Sequence, residues 1–325
     1  MLAFLFRRLG QSLLVIAAMA TLVFVGVYAI GNPIDILISP EADEVERAQA
    51  IARLGLDQPL WLQFLVFVKS AHAGDLGRSF VHGVPALELI LQRMPATLEL
   101  AFTALVISIL IGIPAGLIAG LKPDALPGRL IMTGSIFGFS LPSFWLGLML
   151  ILLFAVELQV LPAGGRGATR TVFGIEWSFL TIDGLKHLIL PALTLAIYKA
   201  SLVARLAYAG TREALLQDFV RFARAKGLSP ARIVGVHVLK TILIPVVTVI
   251  GLELGSMIAF AVVTETVFAW PGMGKLLIES IYRLDRPVVV SYLIVVVAMF
   301  VFINLAVDVI YTLLDPRVRL ATKEA

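Results

Sequence analysis

The sequence predicts an all-α integral membrane protein with six transmembrane helices, and three observations lead to this fold class. Hydrophobic residues make up 59% of the 325 residues, and the mean hydropathy is +0.97. Charged residues make up only 15%, against about a quarter in soluble domains. The apolar residues are also concentrated in long runs, and about 20 such residues are needed to cross ~30 Å of hydrocarbon.

Six apolar runs are long enough to span a bilayer. The first follows Arg7 and Arg8, as a secretory signal peptide would, but it is long for a cleaved signal, so a retained helix is favoured. The predicted spans are residues 9–30, 98–121, 130–158, 187–207, 238–268 and 288–314.

The distribution of Lys and Arg predicts the orientation of these spans. With a cytoplasmic N-terminus, the inner segments carry fourteen Lys and Arg residues and the short outer loops carry six. Positive residues favour the cytoplasmic side of a membrane. Both termini are therefore expected in the cytoplasm, and residues 31–93 are expected outside.

The external segment is predicted to contain two helices. In residues 39–56, Ser39 and Pro40 have the pattern of a helix start, acidic residues follow, and Gly55 lies near the expected end. Residues 58–74 are apolar but too short to span. An interfacial or packed helix is favoured for them over a re-entrant segment.

Several classes of site are excluded by the sequence. The chain has no Cys, hence no disulfide or thiolate metal site, and its four His lack metal-ligand spacing. The stretch PGMGKLL at 271–277 lacks the glycine and the Ser or Thr of a phosphate-binding loop. No cofactor and no metal are predicted.

Five ionisable residues lie within or near the spans, where charge is costly and a functional role is the default hypothesis. For Glu157, Glu265 and Asp308, an interfacial or helix-pairing role is favoured because these residues lie close to span ends. Glu253 lies in the middle of a span, and helix pairing and lining of a transport pathway remain equal alternatives for it. Lys199 is the fifth such group.

The densest cationic cluster lies in the stretch DFVRFARAKGLSPARIVGVHVLKTILIP, residues 218–245. Phe219, Phe222 and Ala223 share one helical face. Gly227 is typical of a helix stop, and Ser229 followed by Pro230 is typical of a new helix start. A basic loop that only sets orientation explains the charges but not the paired aromatics and the helix signals. A rigid cytoplasmic surface for a partner protein explains both.

This stretch resembles the cytoplasmic coupling motif of permease subunits of binding-protein-dependent ABC importers. The resemblance extends along nearly the whole chain and is closest to the first, B-type permease of the dipeptide, oligopeptide, glutathione and nickel group. It rests on GLDQPLWLQF, GDLGRSF, RMPATLELA, SLPSFWLGLMLILLF, LPALTLAI, ETVFAWPGMGKLLIESI and LDPRVR.

The resemblance implies a type I importer permease fold and a set of partners. An extracytoplasmic binding protein delivers substrate, a second, C-type permease completes the pathway, and two ATPase subunits bind the coupling motif from the cytoplasm of a bacterial cell. The implied permease domain covers residues 94–315, with a coupling loop at about 208–237 and a cytoplasmic tail at 316–325. ATP hydrolysis is expected in the partner subunits, so this chain is not expected to be an enzyme.

Two sets of site residues follow. The ATPase-docking candidates are Phe219, Arg221, Phe222, Arg224, Lys226, Gly227, Leu228, Ser229 and Pro230. The pathway or gate candidates are Glu253, Glu265, Trp270, Pro271, Gly272, Ser140 and Pro142. Trp270, Pro271 and Gly272 are expected to form surface around an outer gate, because Trp favours the interface and Pro-Gly ends a span.

The predicted function is import of small peptides, and three alternatives stay open at this point. In the first alternative, the importer carries glutathione, a nickel chelate or another small solute instead of peptides. The second is an ion-coupled secondary transporter with Glu253, Lys199 or Asp308 as relay. The third, an intramembrane enzyme, lacks a recognisable catalytic set.

Overall fold

The computed structural model describes residues 2–28, 43–53 and 57–314 and is almost entirely helical. The helices before the hairpin are α1 (Leu2–Tyr28), α2 (Glu44–Arg53), α3 (Leu60–His72), α4 (Ala86–Leu121), α5 (Leu126–Ser140) and α6 (Ser143–Leu150), which continues as a π-helical segment, Ile151–Glu157. The hairpin comprises β1 (Arg170–Val172) and β2 (Ile175–Trp177), paired antiparallel. The later helices are α7 (Ile182–Leu216), α8 (Asp218–Ala225), α9 (Pro230–Arg232) with a π-helical segment Ile233–Val238, α10 (Leu239–Val267), α11 (Met273–Tyr282) and α12 (Arg286–Leu314).

The chain forms two compact units. The first comprises residues 1–97 and 271–301, and the second comprises residues 98–270 and 302–325. The apolar core of the first unit contains Val23, Val289 and Val290, with Phe67 and Leu277 packed against them.

Polar contacts fix the non-helical parts of the first unit. The Ser79 hydroxyl donates to the Asp285 carboxylate over 2.5 Å, and the Phe80 amide donates to the same carboxylate over 3.0 Å. The Met273 amide donates to the Thr97 hydroxyl over 2.8 Å. Thr97 is the last residue of α4 that belongs to the first unit, and this bond holds the start of α11 against it.

The two helices predicted between the first and second spans are present where the structure describes them. Helix α2 lies within the predicted 39–56 segment, whereas Ser39, Pro40 and Gly55 lie outside the described residues. Helix α3 is a packed helix, because Phe24 of α1 lies 5.2 Å from the Phe64 ring and 5.6 Å from the Phe67 ring.

Among the described residues, four helices are long and apolar enough to cross a membrane, namely α4, α7, α10 and α12. The pair α5 and α6 passes the same test only as one span bent by 106°. The first predicted span lies in α1, whose apolar part Leu14–Gly26 is shorter than the others. Length and composition thus support four to five spans where the sequence predicts six.

The bend interrupts the third predicted span, which was expected to be one continuous segment. Leu141 and Pro142 both have extended backbone, with ψ of 131° and 134°. A residue that precedes proline is disfavoured in helical conformation, and Pro142 itself offers no N–H to continue the helix. The span therefore breaks at Leu141 and restarts at Ser143.

Small residues allow close packing of α4 on α7 in the second unit. Gly112, Gly116 and Gly120 recur every four residues, so they lie on one face of α4. An added Cβ would lie 2.7 Å from the Val203 Cβ at Gly112 and 2.6 Å from the Thr211 Cβ at Gly120. Close approach through small residues is a common way in which helices associate in membranes.

Candidate functional site

The coupling segment, defined here as residues 218–232, begins where α7 ends. Gln217 has an extended backbone, and its amide donates to the Ala214 carbonyl over 3.2 Å. Helix α8 then runs from Asp218 to Ala225, with Asp218 in its first turn and Arg224 in its last. Both charges complement the helix dipole.

The predicted helix stop at Gly227 is confirmed. Gly227 has a φ of +73°, and its amide donates to the Arg224 carbonyl over 2.9 Å. The Leu228 amide reaches back to the Ala223 carbonyl over 3.2 Å. These two bonds form a Schellman motif, in which a left-handed residue satisfies the last carbonyls of a helix.

Ser229 and Pro230 begin the next short helix, but not with the side-chain bond that the sequence predicts. The Ser229 side chain makes no capping hydrogen bond. Its carbonyl instead accepts from the amides of Arg232 and Ile233, both over 3.0 Å. With a φ of −63° and a ψ of 147°, Ser229 sets the chain direction for Pro230 at the first helical position.

One face of α8 anchors the coupling segment to the second unit. Val220 and Ala223 are buried in a cluster with Ala214, Ile233 and Val238. The partly buried residues Leu117, Leu215 and Leu228 pack against this cluster. The segment is thereby packed against the end of α7 and the π-helical segment that precedes α10.

On the opposite face of α8, aromatic and basic side chains are exposed. Phe222 is 62% exposed and Phe219 is 39% exposed. The buried face is thus formed by Val220 and Ala223, and the aromatics that were predicted to share a face with Ala223 point outward. The Lys226 ammonium lies 4.6 Å from the Phe222 ring centroid. A surface of this kind has an apolar centre and a charged rim.

Substitution of Gly227 tests the turn. An added Cβ meets no atom within 4 Å, so the cost of Gly227→Ala comes only from its positive φ. That cost is about 1–2 kcal/mol for a residue with a Cβ. We expect Gly227→Ala to lower the melting temperature of the purified protein. Gly227→Asn is the matched control, because Asn tolerates this conformation better; an equal loss in both variants would argue against the left-handed turn as the cause.

A charged cluster lies at mid-span in the second unit. Lys199 of α7 forms an ion pair with Glu253 of α10 and also donates to the Ser256 hydroxyl over 2.9 Å. Ser256 in turn donates to the Glu253 carboxylate over 2.7 Å. Helix pairing by Glu253 is therefore observed, and it involves Lys199, which the sequence had not assigned to it.

A second charged cluster joins α4 to the loop before α7. The Glu99 side chain is fully buried and accepts from Arg166 Nη2 over 2.7 Å and Nε over 3.1 Å. Its other oxygen accepts from the amides of Ser178 and Phe179 over 2.7 and 2.9 Å. This site was not predicted from the sequence, although a single Glu at the start of an apolar span was a usable signal.

The remaining gate candidates lie in different surroundings. Ser140 and Pro142 are exposed at the bend between α5 and α6. Glu265 is fully buried, and its carbonyl accepts from the Trp270 amide over 2.8 Å. The position of Glu265 near an outer membrane interface stays a prediction.

The predicted surface turn at 270–272 is not exposed. Trp270 and Gly272 are buried and Pro271 is half-buried. The Trp270 side chain is fully buried, with the Arg166 guanidinium 5.8 Å from its ring. The role of this turn at an outer gate stays a prediction. Glu157 is exposed at the end of its π-helical segment, and the side chain of Asp308 lies outside the described residues.

The described residues contain no group of three or more His, Cys, Asp or Glu side chains that could hold a metal ion.

Family models match the chain over most of its length. Residues 112–320 match the family described as "Binding-protein-dependent transport system inner membrane component". Residues 1–101 match "Binding-prot-dependent transport system membrane comp, N-term".

Curated relatives align with nearly the whole chain. The chain is 40% identical to the di/tripeptide transport system permease protein DppB of Pseudomonas aeruginosa, over 98% of this chain and 99% of that protein. It is 41% identical to the probable D,D-dipeptide transport system permease protein DdpB of Escherichia coli, over 96% of both chains. It is 37% identical to the glutathione transport system permease protein GsiC of Escherichia coli, over 98% and 99%.

A solved structure shares the fold. The inward-facing MetNI methionine ABC transporter matches with a TM-score of 0.53 at 17% identity, over 70% of this chain and 96% of that one. The predicted all-α permease fold is thus confirmed. The match of both family models and the identity to full-length relatives show that this chain belongs to the binding-protein-dependent transport system inner membrane components, as a multi-pass permease subunit.

Proposed function

We propose that this chain forms half of the membrane pathway of an ATP-driven importer of short peptides. Relatives that are named as di/tripeptide and D,D-dipeptide permeases, at 40% and 41% identity over nearly full length, support a peptide substrate. Glutathione is the second candidate, because a relative at 37% identity is named for it, and glutathione is itself a small peptide.

The proposed partners are a second, C-type permease subunit, two ATPase subunits and a periplasmic solute-binding protein. The exposed face of the coupling segment is the observation that supports ATPase docking. Phe219 and Phe222 expose large apolar side chains, as does Leu216 at the adjoining end of α7, while Val220 and Ala223 hold the segment on the body of the permease. A short helix that is packed in this way transmits a push from a partner as one body.

Uptake of a labelled dipeptide tests the proposed substrate. The chain and its four proposed partners would be expressed in a bacterial strain without other peptide importers. We expect ATP-dependent uptake of dipeptide that stops when any one partner is omitted. Uptake of glutathione with no uptake of dipeptide would instead favour the second candidate, and uptake without the ATPases would contradict the proposed energy source.

The proposed orientation has both termini in the cytoplasm, the coupling segment inside and the 158–181 loop outside. Because the chain has no Cys, single introduced thiols can report this orientation without background. Phe173 at the hairpin tip is fully exposed, and Ser229 in the coupling segment is also exposed. Ser79 is unsuitable for this purpose because it is buried against Asp285.

We expect Phe173→Cys to react with a membrane-impermeant thiol reagent in intact spheroplasts, and Ser229→Cys to react only after the membrane is opened. The Lys and Arg asymmetry of the loops is the physical reason. Labelling in the opposite pattern would reverse the proposed orientation and remove the coupling segment from the side on which ATP is available.

A further inference from the structure

The Lys199–Glu253 ion pair lies halfway along two membrane-spanning helices. Lys199 is the middle residue of α7, Ile182–Leu216, and Glu253 is the middle residue of α10, Leu239–Val267. Charged groups at the middle of a span are costly, and they normally face the protein interior or a water-filled cavity. The position of this pair is therefore informative about what lies beside it.

The pair is not enclosed by its own chain. The Lys199 side chain remains 15% exposed and that of Glu253 remains 27% exposed. Next to the pair, Ala200 beside Lys199 is buried, whereas Leu252 beside Glu253 is 47% exposed. Exposure to lipid would be unfavourable for both charges, so the open side of the pair suits an aqueous pathway.

Further polar and aromatic groups extend the cluster. The Lys199 ammonium lies 5.1 Å from the Tyr198 ring centroid, and Tyr198 stacks on Phe139 with the ring centroids 4.7 Å apart. The Arg205 guanidinium lies 4.3 Å from the Phe139 ring centroid. Ser256 hydrogen bonds to both Lys199 and Glu253, and the cluster offers two cations, one carboxylate and an aromatic surface.

We propose that this cluster is a substrate-contact site midway along the pathway, which selects peptides by charge. Lys199 and Arg205 would receive carboxylates of the passing peptide, and Glu253 would receive its ammonium groups. This proposal rests on the proposed function, because it assumes that the cargo is a peptide.

The Lys199–Glu253 pair suits a transient binding site, from which the substrate must also be released. When no peptide is present, Lys199 and Glu253 satisfy each other, so neither charge is left unpaired at mid-membrane. A peptide with free termini exchanges one ion pair for two equivalent contacts. Exchange of this kind binds weakly and reversibly, as conduction through a pathway requires. The excess of cations favours peptides with an additional carboxylate over peptides with an additional ammonium group.

Single neutralising substitutions distinguish charge selection from helix pairing. Uptake of Ala-Asp and Ala-Lys would be measured for the wild type, Lys199→Met and Glu253→Gln in the complete importer. The same binding protein serves every variant, so its selectivity cancels when the Ala-Asp to Ala-Lys ratio is compared with that of the wild type. We expect the ratio to fall about tenfold in Lys199→Met and to rise about tenfold in Glu253→Gln, as loss of one charge-assisted hydrogen bond implies.

Two further sets of variants complete the test. Lys275→Met and Glu279→Gln neutralise a pair 3.8 Å apart in α11, in which Lys275 is half-buried and Glu279 is exposed, and should leave the ratio unchanged. Arg205→Gln leaves the Lys199–Glu253 pair intact and should lower the ratio. If Lys199→Met or Glu253→Gln fails to assemble, the ratio measured for Arg205→Gln still tests charge selection.

Equal loss of both dipeptides with an unchanged ratio would overturn the proposal, because a pairing role weakens transport of every substrate alike. An unchanged rate and ratio in all variants would overturn it as well. If the wild type takes up neither dipeptide, the proposed function itself fails, and this inference fails with it.

Discussion

Phe222→Ala should strongly reduce peptide uptake and ATPase binding together while the permease still inserts and pairs with its partner subunit. The structure separates the two faces of α8, because Val220 and Ala223 are buried in the core cluster whereas Phe222 is 62% exposed. Removal of the Phe222 ring therefore takes little from the fold of this chain. Aromatic anchors at the centre of an interface commonly account for at least about 2 kcal/mol of binding, or ~30-fold in affinity.

Pull-down of the ATPases by detergent-solubilised permease measures the first effect, and uptake of a labelled dipeptide measures the second. Arg221→Ala is the matched control, because Arg221 directly precedes Phe222 and is also exposed. The ion pair of Arg221 with Asp218, at 3.6 Å, lies at the surface. Charges at a rim influence association rate and salt dependence more than affinity, so this variant should retain most uptake. Wild-type binding and uptake in Phe222→Ala would show that the basic cluster serves only to orient the chain.

Much of the fold could be predicted because the bilayer imposes strong local rules. Runs of apolar residues of sufficient length were recognisable without knowledge of tertiary contacts, and α4, α7, α10 and α12 correspond to four of them. The helix stop at Gly227 was recognisable for the same reason, since a left-handed residue is a local requirement.

Other features depend on contacts between distant residues and were not predictable in this way. The sequence shows that Phe219, Phe222 and Ala223 can share a face, but only the cluster formed with Ile233 and Val238 determines that Ala223 is buried while the aromatics are exposed. Trp is typical of the membrane interface, yet the Trp270 side chain is fully buried. The bend after Ser140 had a local signal in Pro142, but prolines within spans do not always break them.

The Glu99–Arg166 pair is the clearest case of a site that depends on long-range contacts. The two residues are separated by 67 positions, and neither has a charged neighbour in sequence that suggests the pairing. Glu99 lies near the start of an apolar span, where an interfacial role is the simplest interpretation. Arg166 lies in a glycine-rich loop, where it looks like a solvated charge. Their contact shows instead that this loop is fixed to α4.

Arg166→Met should destabilise the permease strongly, because it leaves the Glu99 carboxylate buried without its cation. Removal of one partner from a buried ion pair costs about 3 to 5 kcal/mol. The Glu99 side chain is fully buried and the Arg166 side chain is only 12% exposed, so solvent compensates little for the loss. We expect a large drop in the melting temperature of the purified complex and reduced amounts of it in the membrane.

The double variant Glu99→Gln, Arg166→Met separates the charge from the packing. Gln at position 99 keeps an oxygen that can accept from the Ser178 and Phe179 amides, but it leaves no unpaired charge. The double variant should therefore be more stable than Arg166→Met alone, although it lacks both members of the pair. If Arg166→Met melts at the wild-type temperature, or if the double variant is the less stable of the two, the buried carboxylate is not what Arg166 neutralises. Recovery of stability in the double variant would identify the ion pair as the contact that fixes the 158–181 loop to the spanning helix α4.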